Sequence, residues 1–294
     1  MHTITSVIKR HPLVTFFVLA YTFSWLPWVL GTLLPDSRPF VLYPFLGGGP
    51  LLAALVVLPI TQGRAGLRAL GARMIKWRVG WQWYALALGI PLIVGLGTTA
   101  LNVAFGAPSV SLVQILGANG DAKELNGMLG IGSVLSLILA YLLRLINPAD
   151  GPLGEEPGWR GYALPGLQSN RSPLAAALVL GLLAAGWHLP LIFVGAASPV
   201  ELLAPFCLGI VASWIFYRTG GSVLLTLMLH AADGVIQIER LGFVGADADR
   251  TVWLYSGLWC LMAISVLVLD WKTWQARRPM APKEMLPAEA LLKP

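Results

Sequence analysis

Charge is what this chain has least of: Asp, Glu, Lys and Arg together make up 12% of its 294 residues, against 56% that are hydrophobic. So few charged groups cannot coat a water-soluble domain of this size, which excludes an ordinary globular protein and points to a polytopic membrane protein. Cysteine is nearly missing. Its two copies, Cys207 and Cys260, lie in apolar runs, so neither a disulfide framework nor a cysteine-based metal site is expected. Internal repeats, heptad arrays and low-complexity tracts are also lacking. The net charge of +6 comes from Lys and Arg gathered in a few segments, as membrane orientation requires. No nucleic-acid partner is expected; the lipid bilayer is.

Long apolar runs are what the chain has instead. Since about 20 apolar residues cross the hydrocarbon core, the sequence divides into eight spans. They cover 13–34, 40–60, 81–105, 129–146, 174–194, 200–217, 222–238 and 252–269, an all-α polytopic membrane helical bundle forming a single integral membrane domain over 1–294. The first run follows Lys9-Arg10 but exceeds the length of a signal-peptide core and has no small-residue cleavage site after it, so it is read as a retained span. Gly47-Gly48-Gly49-Pro50 is the expected kink. The segment 64–78 carries Arg64, Arg68, Arg73, Lys76 and Arg78 without an acid, and the chain's ends carry Lys9-Arg10 and Lys272, Arg277, Arg278 and Lys283. By the positive-inside rule these are cytoplasmic, and 35–39, 106–128 and 239–250 are external; an even number of spans agrees. Trp77, Trp81, Trp83, Trp253, Trp271 and Trp274 fall near span ends as interfacial anchors, and Arg144 and Asp270 are expected to snorkel to the cytoplasmic face. The tail 277–294 is expected to be loosely ordered.

Against this background Glu155-Glu156-Pro157-Gly158-Trp159-Arg160 stands out, followed by His188 and His230 inside apolar stretches. Ionisable groups at membrane depth cost roughly 2.5–3.5 kcal/mol each on insertion scales, so their presence points to chemistry. Pro157 suits the first turn of a helix, which places the helix start at Glu155 or Glu156. On such a helix Glu156 and Arg160 share a face, while Glu155 is turned about 100° away. Arg160 then neutralises and orients Glu156, and Glu155 is left as the candidate general base. Asp233 lies three residues after His230, placed either to orient the imidazole or to offer a polar group of its own. Two imidazoles and a carboxylate from separate segments can activate water and polarise a carbonyl, or can hold zinc through Glu155, His188 and His230. A zinc-protease motif with both His on one helix is missing, and Glu156 is committed to Arg160, so zinc would lack a separate base. Glutamate-activated water with no required cofactor is therefore the expectation, with zinc as the alternative.

At these residues the chain resembles the CPBP family of intramembrane proteases, which includes the CAAX prenyl endoproteases and the bacteriocin-processing or immunity (Abi) proteins. The family pattern is E-E-x-x-x-R, then F-x-x-x-H, then H-x-x-x-N/D, each on a different helix. Here it reads Glu155-Glu156 through Arg160 with Gly161-Tyr162-Ala163-Leu164-Pro165 and Leu167-Gln168, then Trp187-His188-Leu189-Pro190, then Gly220-Gly221-Ser222-Val223-Leu224 leading to His230. The resemblance covers 154–238, within a protease-like core at 127–240. It implies that Glu155 and His188 activate water, and that His230 with Asp233 or a backbone N–H stabilises the oxyanion. Glu156 and Arg160 hold the site together. The implied activity is endopeptidase cleavage of a membrane-associated peptide or prenylated-peptide substrate, in a bacterial-type plasma membrane with both termini cytoplasmic. Two positions depart from the pattern: Ala184 replaces Phe, and Gly234 stands fourth after His230, with the acid at the third place.

Other classes fit parts of the sequence. A proton-coupled transporter would use intramembrane Glu and His as a relay, but the first three spans carry no charge in their cores and so show no paired halves. A catalytically silent immunity or scaffold protein would not need both Glu and both His. Depth is open. At 1.5 Å per residue His188 is about 22 Å along its helix from Pro173 and His230 about 12 Å from Ser222, so either the Glu155 helix re-enters the membrane or the fifth helix begins outside it.

Overall fold

In lipid an apolar run satisfies its own backbone only as a helix or a closed barrel. The computed structural model describes residues 2–33, 43–110, 120–130, 132–149, 151–236 and 241–275, and among these every regular element is helical. The expectations for 35–39 and 277–294, and parts of those for 106–128 and 239–250, lie outside the described residues. In chain order the helices are α1 (His2–Arg10), α2 (Pro12–Leu33), α3 (Tyr43–Met74), α4 (Trp81–Ala104), α5 (Gly120–Leu129) and α6 (Ser133–Ile146). Next come α7 (Pro152–Gly158), a π-helical turn (Trp159–Ala163), α8 (Leu164–Gln168), α9 (Pro173–Trp187) and α10 (Leu189–Phe193). A 3₁₀ turn (Pro199–Leu202) leads into α11 (Leu203–Arg218), then α12 (Val223–Val235), α13 (Ala246–Leu269) and α14 (Trp271–Gln275).

The eight expected spans all appear as apolar helices, but they are not equivalent. Gly47–Met74, Trp81–Ala104, Pro173–Phe193, Pro199–Arg218 and Ala246–Leu269 are long and apolar enough to cross a membrane, whereas Pro12–Pro27, Val134–Ile146 and Val223–Val235 are shorter. The 14 residues of α6 and 13 of α12 reach only about 20 Å against a hydrocarbon core of about 30 Å. Helix α12 is largely internal. It packs on α4, α6, α7 and α11.

Two apolar clusters fill the bundle and share α9, α11 and α12. One gathers α1, α2, α3 and the α7–α8 segment around Phe16, Trp159, Leu164 and Leu180; the other gathers α4, α13 and α14 around Leu225, Leu229, Trp259 and Trp274. Four of the six expected interfacial tryptophans, Trp77, Trp81, Trp253 and Trp271, are exposed. Trp274 is instead buried, its indole donating to the Val266 carbonyl at 2.9 Å, and Trp83 packs edge-on against Trp214. Asp270 accepts from the Trp214 indole at 2.8 Å and lies 3.3 Å from Arg218, so it is a partnered end-cap rather than a free snorkelling charge.

Helix α3 corrects two expectations. The cationic segment 64–78 is mostly helix, since α3 continues to Met74, and the chain breaks at Gly63 (φ 64°, ψ −154°) rather than at Gly47–Pro50. The glycines of that earlier patch have a different use. A Cβ on Gly154 would stand 2.4 Å from the Gly47 carbonyl oxygen, and one on Gly158 would stand 2.4 Å from the Pro50 carbonyl. On the other side of α3, a Cβ on Gly49 would meet the Ala20 carbonyl at 2.4 Å. Gly154 and Gly158, four apart, let the backbone of α7 touch the backbone of α3, the small-residue packing that membrane helices use in place of a hydrophobic driving force. This contact pulls the Glu-Glu motif into the bundle.

Candidate active site

Helix α7 starts three residues earlier than expected, with Pro152 at its N-terminus, which places Glu155 in the first turn and Pro157 inside. Proline there withdraws an N–H from the helical ladder, and the backbone widens into a π turn over Trp159–Ala163. Nearly the whole run from Pro152 to Leu164 is buried among α3, α9 and α12. The motif helix is thus inserted into the interior of the bundle.

Glu156 is completely buried and is held from two helices. Its Oε1 accepts from Arg160 Nη1 at 2.7 Å, and His230 Nδ1 of α12 lies 3.0 Å from the same oxygen. Arg160, itself 2% exposed, also donates to the Gly209 carbonyl of α11 at 3.2 Å. The Glu156–Arg160 pairing expected from their spacing is therefore present. Its link to His230 was not foreseen, because sequence spacing says nothing about which helix lies opposite.

Glu155 has no such cation. Its Oε2 accepts from the Trp159 indole at 3.2 Å. Trp159 is fully buried, with Phe16 edge-on, Phe17 stacked and Trp187 edge-on around it, so the indole holds the carboxylate from a fixed wall. His188 follows the last residue of α9, and its Nδ1 is 2.9 Å from the Ala184 carbonyl. A carbonyl can only accept, so Nδ1 carries the proton and Nε2 is left with a lone pair. His230 is likewise engaged at Nδ1, with Glu156 as acceptor, which leaves its Nε2 for other partners.

Glu155, His188, His230 and Asp233 line one cavity of about 380 Å³, together with Trp159, Arg160, Ala184, Glu201 and Tyr255. A methyl group placed on Gly151 would lie 3.3 Å from Glu155 Oε1 and 3.7 Å from His230 Nε2, so the carboxylate and the second imidazole face a common point. Asp233 does not bond His230 among the contacts found. It accepts from the Tyr255 hydroxyl and, at 3.2 Å, from the Trp259 indole, tying α12 to α13. Ala184, small where the family pattern has Phe, borders the cavity, so its size affects the space available as well as packing.

Sequence reasoning missed Trp159, Tyr255, Trp259, Arg73 and the placement of Arg144. The pair Tyr255 and Trp259 carried a readable signal: two aromatics with hydrogen-bonding tips, four apart on one helix face. Arg73, assigned only to orientation, is 4% exposed and donates to the Gly161 carbonyl of the π turn at 2.7 Å. Arg144, expected to snorkel, is 8% exposed and lies against Gly234. Next to Arg73, Lys76 donates to the Gly220 carbonyl at 2.8 Å, and its own carbonyl accepts from Ser222. Partial burial, then the Arg73 charge, hold its ammonium below the ordinary lysine range. These bonds clamp the Gly220-Gly221 turn, whose φ values of 61° and 94° suit glycine, and so set where α12 begins.

No group of three or more His, Cys, Asp or Glu among the described residues is arranged to hold a metal ion. Glu155, His188 and His230 share the cavity without closing on one ion, so no step is assigned to zinc.

The architecture defines a polytopic helical membrane protein with a buried Glu/His site at its centre. Residues 125–235 match the family model described as Type II CAAX prenyl endopeptidase Rce1-like. The chain is also similar to CAAX prenyl protease 2 of Methanococcus maripaludis, 30% identical over 130 residues that cover 40% of this chain and 46% of that protein. It thus spans about half the length of the curated relative it matches. The family-model match contains Glu155, Glu156, Arg160, His188, His230 and Asp233, and both findings are similarities to CAAX prenyl endopeptidases, in line with the resemblance that the motifs carry.

Proposed function

We propose that this protein is an intramembrane endopeptidase in which Glu155 and His188 activate a water molecule. The observation that carries this reading is the division of labour between adjacent acids: Glu156 is locked to Arg160 and His230, while Glu155 accepts from a neutral indole and faces the cavity with His188 and His230. Glu155 takes a proton from water as the oxygen attacks the scissile carbonyl, with the His188 Nε2 lone pair orienting the same water. His230, its Nδ1 held by Glu156, presents Nε2–H to the oxyanion when doubly protonated, an interaction often worth about 3 kcal/mol. Glu155 then delivers its proton to the leaving amine as the C–N bond breaks. Asp233, an acceptor for two donors, is read as the tie that positions α12 and Tyr255 beside this point. Fixed groups of this kind serve hydrolysis better than a proton relay, which needs a chain of exchanging partners.

The substrate is proposed to be a membrane-associated peptide, prenylated or not, since the relative's name describes a prenyl protease. Glutamate-activated water needs no cofactor. The cationic segments around Lys9-Arg10, 64–78 and Lys272 are proposed to face the cytoplasm of a bacterial-type plasma membrane.

The test is cleavage of a peptide library, with and without a farnesyl group, by purified protein and by Glu155→Gln, accompanied by elemental analysis and chelation. Turnover that disappears in Glu155→Gln and survives chelation supports the reading. Stoichiometric zinc whose removal abolishes activity and whose return restores it would overturn the metal-free route, and a fully active Glu155→Gln would overturn the role of Glu155.

A further inference from the structure

Arg144 stands near the end of α6, where a long cation would ordinarily reach for water, yet it is 8% exposed. Its guanidinium lies directly over the α carbon of Gly234: a Cβ built there would be 2.6 Å from Nη2, 2.7 Å from Nε and 2.8 Å from Cζ. Real Cβ atoms do not approach other atoms so closely, so a side chain at position 234 requires the Arg144 guanidinium to shift. Gly234 is four residues after His230 and therefore on the same face of α12, one turn further along. The guanidinium thus occupies the side-chain place next to the imidazole. It is also near enough to Asp233 for the two charges to interact.

We infer that Arg144 is a positioning residue for the His230 face, a side chain delivered from α6 into the place that Gly234 leaves empty on α12. This rests on the reading of the cavity as a hydrolytic site. A fixed cation here steadies Asp233, which holds Tyr255 and Trp259, and keeps the end of α12 in register with Glu156. The glycine and the buried arginine are one feature: the missing side chain at 234 gives the guanidinium its room. A buried guanidinium is costly without such an environment, and a helical glycine without a packing reason is destabilising.

The pairing predicts that Arg144→Ala and Gly234→Asn compensate. Thermal stability of the purified full chain, which needs no substrate, reads the placement: Gly234→Asn should destabilise strongly when Arg144 is present and little in Arg144→Ala. Activity on the farnesylated and unmodified peptides reads the role. Displacing reacting groups by about 1 Å costs on the order of 100-fold, so Arg144→Ala should lose kcat on that scale with KM little changed, and Arg144→Lys should recover part of it. The double variant Arg144→Ala/Gly234→Asn, with a polar group restored at the same place, should regain most of the kcat, whereas Arg144→Ala/Gly234→Leu should regain stability alone. Equal rescue of kcat by Leu and Asn would reduce Arg144 to packing and overturn the inference. A Gly234→Asn protein as stable as the parent would refute the placement itself. If the parent cleaves no peptide, the catalytic reading fails and the positioning role falls with it, while the stability cycle still decides whether Arg144 fills position 234.

Discussion

Neutralising each of the two adjacent glutamates in turn should give opposite kinds of damage. Glu156 is 0% exposed and neutralises Arg160, which is 2% exposed and also donates to the Gly209 carbonyl. Glu156→Gln strands that guanidinium and takes the charge from the acceptor of His230. Breaking a buried ion pair by removing one partner costs about 3–5 kcal/mol, a large share of the roughly 5–15 kcal/mol that holds a domain folded. At roughly 2–4 °C per kcal/mol, the midpoint should fall by about 10 °C. Glu155→Gln is different: the Trp159 indole can donate to an amide oxygen as well as to a carboxylate, so the loss should stay near 1 kcal/mol or below while cleavage disappears. The assay is thermal unfolding of both variants in one detergent beside peptide turnover. A third variant, Glu156→Gln/Arg160→Met, removes the whole pair and should regain much of the stability without regaining activity, because His230 still lacks its anionic partner. If Glu155→Gln unfolds early while Glu156→Gln melts like the parent, the assignment of one acid to chemistry and the other to the frame is reversed.

Three further outcomes are expected. Trp159→Phe keeps the aromatic wall but removes the donor to Glu155, so turnover should fall roughly fivefold, the equivalent of about 1 kcal/mol, with little change in melting; an unchanged kcat would show that the indole does not orient the base. Gly158→Ala sets a methyl group 2.4 Å from the Pro50 carbonyl and should lower stability by about 1–3 kcal/mol or more, since only backbone movement can relieve it; a melting curve matching the parent's would refute the α3–α7 contact. Single cysteines at the exposed positions Arg78 and Ser109, in a background with Cys207→Ala and Cys260→Ala, should react on opposite sides with an impermeant thiol reagent; labelling on the same side would refute the proposed orientation.

Composition and local spacing settled a good deal about this molecule without any coordinates. Hydropathy located all eight apolar helices, though α3 runs on to Met74 and α13 starts at Ala246, because helix formation in lipid depends on the run itself and not on its neighbours. The Glu156–Arg160 pair was readable for the same reason, being one helical turn apart. Local rules failed where a feature depends on what lies across from it. The close backbone contact of α7 with α3 and the break of α3 at Gly63 rather than at Gly47–Pro50 depend on the assembled bundle and not on the local run. That Glu156 receives His230, that Asp233 serves Tyr255 and Trp259, and that Arg144 fills the space over Gly234 are decisions of helix packing between residues 22 to 90 positions apart in the chain. A sequence states which ionisable groups must be buried; only the assembled bundle decides which of them meet, because a buried charge takes whatever partner the neighbouring helix brings within hydrogen-bonding distance.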